Sequence, residues 1–207
     1  MQKKISMAVA AAAVVALCAS TAAFAYLTNA DNKEVAFTVG DVGGMLVDTP
    51  LSTAAGEFLS PGETLQTAPK VQSDGKGDAI VFVEMQVPAE SVKVYSESEG
   101  TVSATPAMQA LFEEASAINS DWTVYNGPSI ENGIETTVFA CKKILPSEGI
   151  TSPIFENLRV INATSMSQSS YQVKFNAKMI QAEGIGTGTL DKTAFDKAYT
   201  ALGAHGV

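Results

Sequence analysis

The chain has 207 residues, 46% of them hydrophobic and 17% charged, and a formal net charge of −9. That length suits one sizeable hydrophobic core and is short for two. The acidic balance repels phosphate backbones and anionic lipid, which excludes a nucleic-acid partner.

The first residues read as an export signal. Lys3 and Lys4 form a positive start, Met7 to Leu17 is apolar, and Ala23-Phe24-Ala25 is a small-x-small cleavage site. Residues 1–25 are therefore expected to be removed ahead of Tyr26, and residues 26–207 to form a single secreted domain. Membrane contact is expected only through the uncleaved signal, because its apolar run is too short to span a bilayer comfortably. Cleavage removes two lysines and no acid, taking the formal charge from −9 to −11. "VALC" is no lipidation site, since bulky Leu17 stands where a small residue belongs. Cys18 leaves with the signal and Cys141 remains alone, so no internal disulfide is expected. Within "TTVFACKKI", Cys141 reads as a small buried apolar residue.

Strand patterns follow in chain order. "EVAFTVG" alternates, with Val35, Phe37 and Val39 on one face. "AIVFVEMQVP" is continuously apolar, as in a central strand buried on both faces. "YQVKFNAKMIQAE" directs Tyr171, Val173, Phe175, Ala177 and Met179 one way and Gln172, Lys174, Asn176 and Lys178 the other. Shorter candidates are "GMLVD", "SVKVYS", "DWTVYN", "TTVFACKKI" and "IFENLRVI". Ser73-Asp74-Gly75, Asn126-Gly127 and Asn132-Gly133 are predicted hairpin turns, with further reversals at Pro61-Gly62 and Pro146-Ser147. Two segments carry a helical stripe. In residues 105–118, Met108, Leu111, Phe112, Ala115 and Ile118 recur behind Thr105 and Pro106. In residues 190–203, Leu190, Ala194, Phe195, Ala198, Tyr199 and Leu202 do so, with Gly203 as the cap. The fold class is all-β: a jelly-roll-like antiparallel sandwich with two peripheral helices.

Catalytic constellations are missing. The sole histidine, His205, lies in a Gly-flanked tail, so neither a Ser-His-Asp nor a Cys-His pair can be built. No zinc-ligand spacing occurs, and the acidic residues form no calcium ladder; neither metal nor cofactor is expected. "GIGTG" at Gly184–Gly188 lacks the spacing of a phosphate loop and reads as a connector. "LPSEG" at Leu145–Gly149 is a hairpin turn rather than a sorting signal. Trp122, Tyr125 and Tyr171 are the aromatics available to a carbohydrate-binding face.

Four blocks, in order, resemble the TasA/camelysin family of Gram-positive secreted proteins. "AFAYLTNADNKEVAFTVGDV" is similar to the family's signal-peptide end and first strand. Ala25-Tyr26-Leu27-Thr28 and Phe37-Thr38-Val39-Gly40 match it, while Glu34-Val35-Ala36 departs from the usual Asn. "LSPGETLQTAPKVQSDGKGDAIVFVEMQVP" resembles the second block, with Ser73 where Asn is usual. "ILPSEGITSPIFENLRV" and "YQVKFNAKMIQAEG" resemble the later ones. Together they cover most of the chain beyond Ala25. The resemblance implies cleavage by a signal peptidase of the SipW type at Ala23, Ala25 and Tyr26. It also implies a jelly-roll-like sandwich in the extracellular matrix or at the cell surface, and a role as a biofilm-matrix fibre subunit. Its partners would be further copies of itself or related matrix proteins.

An arm from Tyr26 to Val39, released only after export, suits insertion into a neighbouring sandwich, with Val35, Phe37 and Val39 as anchors. The alternatives are that this strand pairs within its own sheet, or that the protein is a non-polymerising surface module or adhesin. Camelysin-type members carry a zinc metallo-endopeptidase label, for which one tail histidine gives no support.

Overall fold

The computed structural model describes residues 28–31, 44–47, 60–164, 166, 171–186 and 188–203. Among these are thirteen strands and one helix. The strands are β1 (Thr28–Asp31), β2 (Gly44–Val47), β3 (Thr64–Gln66), β4 (Lys70–Ser73), β5 (Ala79–Val92), β6 (Tyr95–Ser96) and β7 (Thr101–Val102). They continue as β8 (Ala107–Ala110), β9 (Phe112–Glu114), β10 (Trp122–Glu131), β11 (Ile134–Cys141), β12 (Asn157–Val160) and β13 (Lys174–Gln181). Helix α1 (Lys192–Gly203) closes the order. The protein is an antiparallel all-β sandwich with a peripheral helix.

Its main sheet runs β1-β13-β5-β11-β10, with β8 also pairing β5. The continuous apolar run puts β5 at the centre. Ala79 to Val83 are buried on both faces, and from Glu84 onward the strand alternates. On the inner face Val81, Val83, Met85, Phe139, Ala177 and Met179 pack against Phe112, Phe155, Leu158 and Val160 of the opposing layer. That layer is built from the β3-β12-β9 sheet and the β2-β4 pair.

The outer face carries a second core, where Ile80, Phe82, Val138, Ala140 and Ile180 meet Leu190, Phe195, Ala198 and Leu202. The C-terminal stripe thus forms the expected helix, docked as a cover over one end of the sheet. The Asp191 carboxylate caps its start, accepting from the Ala194 N–H at 2.9 Å. Phe82 sits edge-on to Tyr125, Phe195 and Tyr199, with centroids 5.4, 6.0 and 5.2 Å away.

The helix expected over residues 105–118 does not form. Ala107–Ala110 is β8, paired with Val92–Ala89 of β5, and Phe112–Glu114 is β9, paired with β12. Met108 is 50% exposed, and Leu111 and Phe112 carry the burial of this segment. Two sheet edges needing backbone partners outweigh a helical stripe whose propensity contribution is small.

The turns divide similarly. Asn132 and Gly133, at φ 52° and 77°, make the tight β10–β11 turn that the sequence predicts. Asn126-Gly127 is no turn; it lies inside β10, where the register against β11 shifts.

Candidate assembly edge

Ala23, Ala25 and Tyr26, together with Val35, Phe37 and Val39, lie outside the described residues. Two residues beyond the proposed cleavage point, however, the chain enters the main sheet. Thr28 pairs with Ile180, Asn29 with Met179, Ala30 with Lys178 and Asp31 with Ala177. A polar T-N-A-D stretch gives no strand signal in the sequence. It forms a strand because the edge of β13 supplies unpaired backbone groups, and a ladder needs no apolar pattern.

The strand beneath it is regular. Lys174 to Gln181 pair with Gln86 to Ala79 of β5 in unbroken register. Its alternation is the expected one: Tyr171, Val173, Phe175, Ala177 and Met179 face the inner core, and Lys174 is exposed on the outside. On the outer face Lys178 Nζ donates to Glu84 Oε2 at 3.1 Å, and Gln86 Nε2 donates to Glu84 Oε1 at 2.7 Å. Among the described residues, no strand pairs with Lys174 to Asn176 of β13 on the side β1 occupies.

Strand β2 holds the N-terminal chain close to this edge. It pairs with β4, and a Cβ on Gly44 would fall on the Met179 sulfur. The missing side chain lets β2 pass directly over Met179.

The opposite edge of the sheet is shaped differently. The β10–β11 register shifts between Val124 and Asn126 and again between Asn126 and Ser129. Gly127 has φ +97°, Pro128 follows it without an N–H to offer, and a Cβ on Gly127 would stand 2.5 Å from the Thr136 carbonyl. Bulges, glycine and proline are the devices that stop an edge from recruiting another strand.

Other candidate chemistry is dispersed. Trp122 is buried in the inner core and donates to the Ser152 carbonyl at 2.9 Å. Tyr125 lies across the sheet under α1, and Tyr171 donates to Glu90 Oε1 at 2.9 Å. The three aromatics therefore share no face. Two open clefts of about 400 and 420 Å³ flank the start of α1 around Leu190 and Asp191. Beside them Lys192 grips Asp196 with two contacts of 2.9 Å, and Tyr125 donates to the same carboxylate at 3.2 Å. The Lys192 hydrogen bond, with that of Tyr125, holds Asp196 below the usual carboxylate range.

Cys141 is buried, and desolvation pushes its thiol up, as suits a packing residue. Among the described residues no three His, Cys, Asp or Glu side chains converge as a metal site would need. Among the same residues no helix is long and apolar enough to cross a membrane.

Compared with protein families, curated proteins and solved structures, the chain matches none.

Proposed function

We propose that this protein is a secreted structural subunit of the cell surface or biofilm matrix, assembling into fibres through its N-terminal strand, as the resemblance to the TasA/camelysin family implies. One observation carries the reading. The first residues after the expected cleavage point pair with the regular β13 edge of their own chain, a short ladder that a second copy's arm would exchange with, while the far edge is blunted by bulges, glycine and proline. A protein with one protected edge and one pairing edge can add partners in a single direction.

Export supplies the timing. While residues 1–25 remain attached, the arm begins at a membrane-bound signal; cleavage at Tyr26 frees it outside the cell. The reading calls for no catalytic residue, cofactor or metal.

Electron microscopy of the purified secreted protein, over time and concentration, tests it. Regular filaments that lengthen with concentration are expected. A persistent monomer would overturn the fibre reading in favour of a surface-bound module.

A further inference from the structure

We propose that the cleft between β10 and the start of α1 binds one residue of a neutral oligosaccharide. The proposal does not rest on the fibre reading: the cleft lies at the β10 edge of the main sheet, the far side from β1.

Its size and walls suit a sugar ring. The cleft holds about 400 Å³, within the range of small-ligand sites. On its apolar side Val124 is 41% exposed and Tyr125 is half-buried. Small-ligand sites pair such walls with a few placed polar groups, and a pyranose buries its C–H faces there. The cleft is also held in shape. The Leu190 N–H donates to the Lys142 carbonyl at 2.7 Å, and Lys143 bridges to Thr189, which ties the two lining segments side by side. The helix start itself contributes little. Asp191 Oδ1 accepts from the Ala194 N–H at 2.9 Å, and the Asp191 carbonyl accepts from the Phe195 N–H at 3.0 Å.

The polar groups decide the class of ligand. Lys142 offers an ammonium, Asp191 its second carboxylate oxygen and Thr123 a hydroxyl. None of these three groups makes a hydrogen bond or ion pair among the described residues. Lys192 lines the same cleft, its ammonium held by Asp196 and 5.9 Å from the Tyr125 ring centroid. An anion drawn to Lys142 would be opposed by Asp191. A cation drawn to Asp191 would be opposed by Lys142 and Lys192. Hydroxyls both donate and accept, so a polyol satisfies the ammonium and the carboxylate together. A donor, an acceptor and a hydroxyl beside an apolar wall match a neutral sugar better than any singly charged ligand.

Isothermal titration calorimetry of the secreted protein with cellotetraose, maltotetraose and tetra-N-acetylchitotetraose tests it. At least one should bind saturably, with a Kd of about 1 mM or tighter. Tetragalacturonate and deacetylated chitotetraose, an anionic and a cationic tetramer, should bind at least about tenfold more weakly. Lys142→Ala should weaken binding of the best sugar about tenfold, and Lys142→Met, which keeps the stem, should lose as much. Val124→Asp, which charges the apolar wall, should weaken it about tenfold too. Melts of these variants should match the parent's, because both side chains reach solvent. Lys174→Ala, outside the cleft, should leave the affinity unchanged. No saturable binding of any neutral tetrasaccharide overturns the proposal. So does tighter binding of a charged one, or an affinity that the Lys142 or Val124 variants leave intact.

Discussion

The two edges of the main sheet are made of similar amounts of backbone and are treated in opposite ways. β10 carries two register shifts, a glycine at φ +97° and a proline within ten residues. β13 pairs for eight residues without a break, and four residues from the far N-terminus lie along part of its outer side. Both strands sit one or two places from the same buried β5, so burial does not explain the contrast. The difference teaches that irregularity is confined to one side of the sheet: β10, with no further strand beyond it among the described residues, is distorted, and β13, which receives β1, is straight.

The largest effect expected on this contrast comes from deleting Tyr26 to Val39. Assembly should be lost outright while the sandwich stays folded, since β2 and the inner core remain; sedimentation and circular dichroism together report it. A deleted protein that unfolds would mean that β1 is part of the protomer's own stability.

Next are the two glycines that mark the edges. Gly127→Ala sets a Cβ 2.5 Å from a backbone carbonyl at a positive φ and should cost roughly 3 kcal/mol in urea melts. Gly44→Ala meets the far end of a flexible methionine and should cost about 1 kcal/mol. Equal costs would show that the β10 distortion is not strained into place.

On β13 itself, Phe175→Ala should cost about 2 kcal/mol, below a fully buried phenylalanine because the ring is only half-buried. Lys174→Ala, on the exposed face one residue away, should stay within about half a kcal/mol.

The smallest effect concerns Glu135 on β11. Burial, and then the charge of Glu114, hold its carboxyl above the usual glutamate range. A raised carboxylate penalises the fold at neutral pH, and the penalty is relieved as pH falls through the raised value. Glu135→Gln should therefore stabilise at neutral pH by no more than about half a kcal/mol, given its solvent access. The gain should vanish in melts run below the glutamate range.

What the sequence determined by itself was whatever is written in local periodicity. The inward alternation of Tyr171 to Met179, the two-sided burial at the start of β5, the Asn132-Gly133 turn and the C-terminal helix were all legible, because each is a pattern of side chains set against one core. Three things were decided only by tertiary structure. Residues 107–114 carry a helical stripe and became β8 and β9, since the edges of β5 and β12 offered hydrogen bonds no isolated helix could better. Asn126-Gly127 reads as a hairpin turn and became an in-strand bulge, because β11 continues beside it on both sides of the irregularity. And T-N-A-D, with no apolar signal at all, became a strand because the backbone of β13 was there to pair with. Side-chain patterns announce which face is buried; backbone hydrogen bonding carries no sequence signature, so the β1–β13 pairing becomes visible only once the sheet is built.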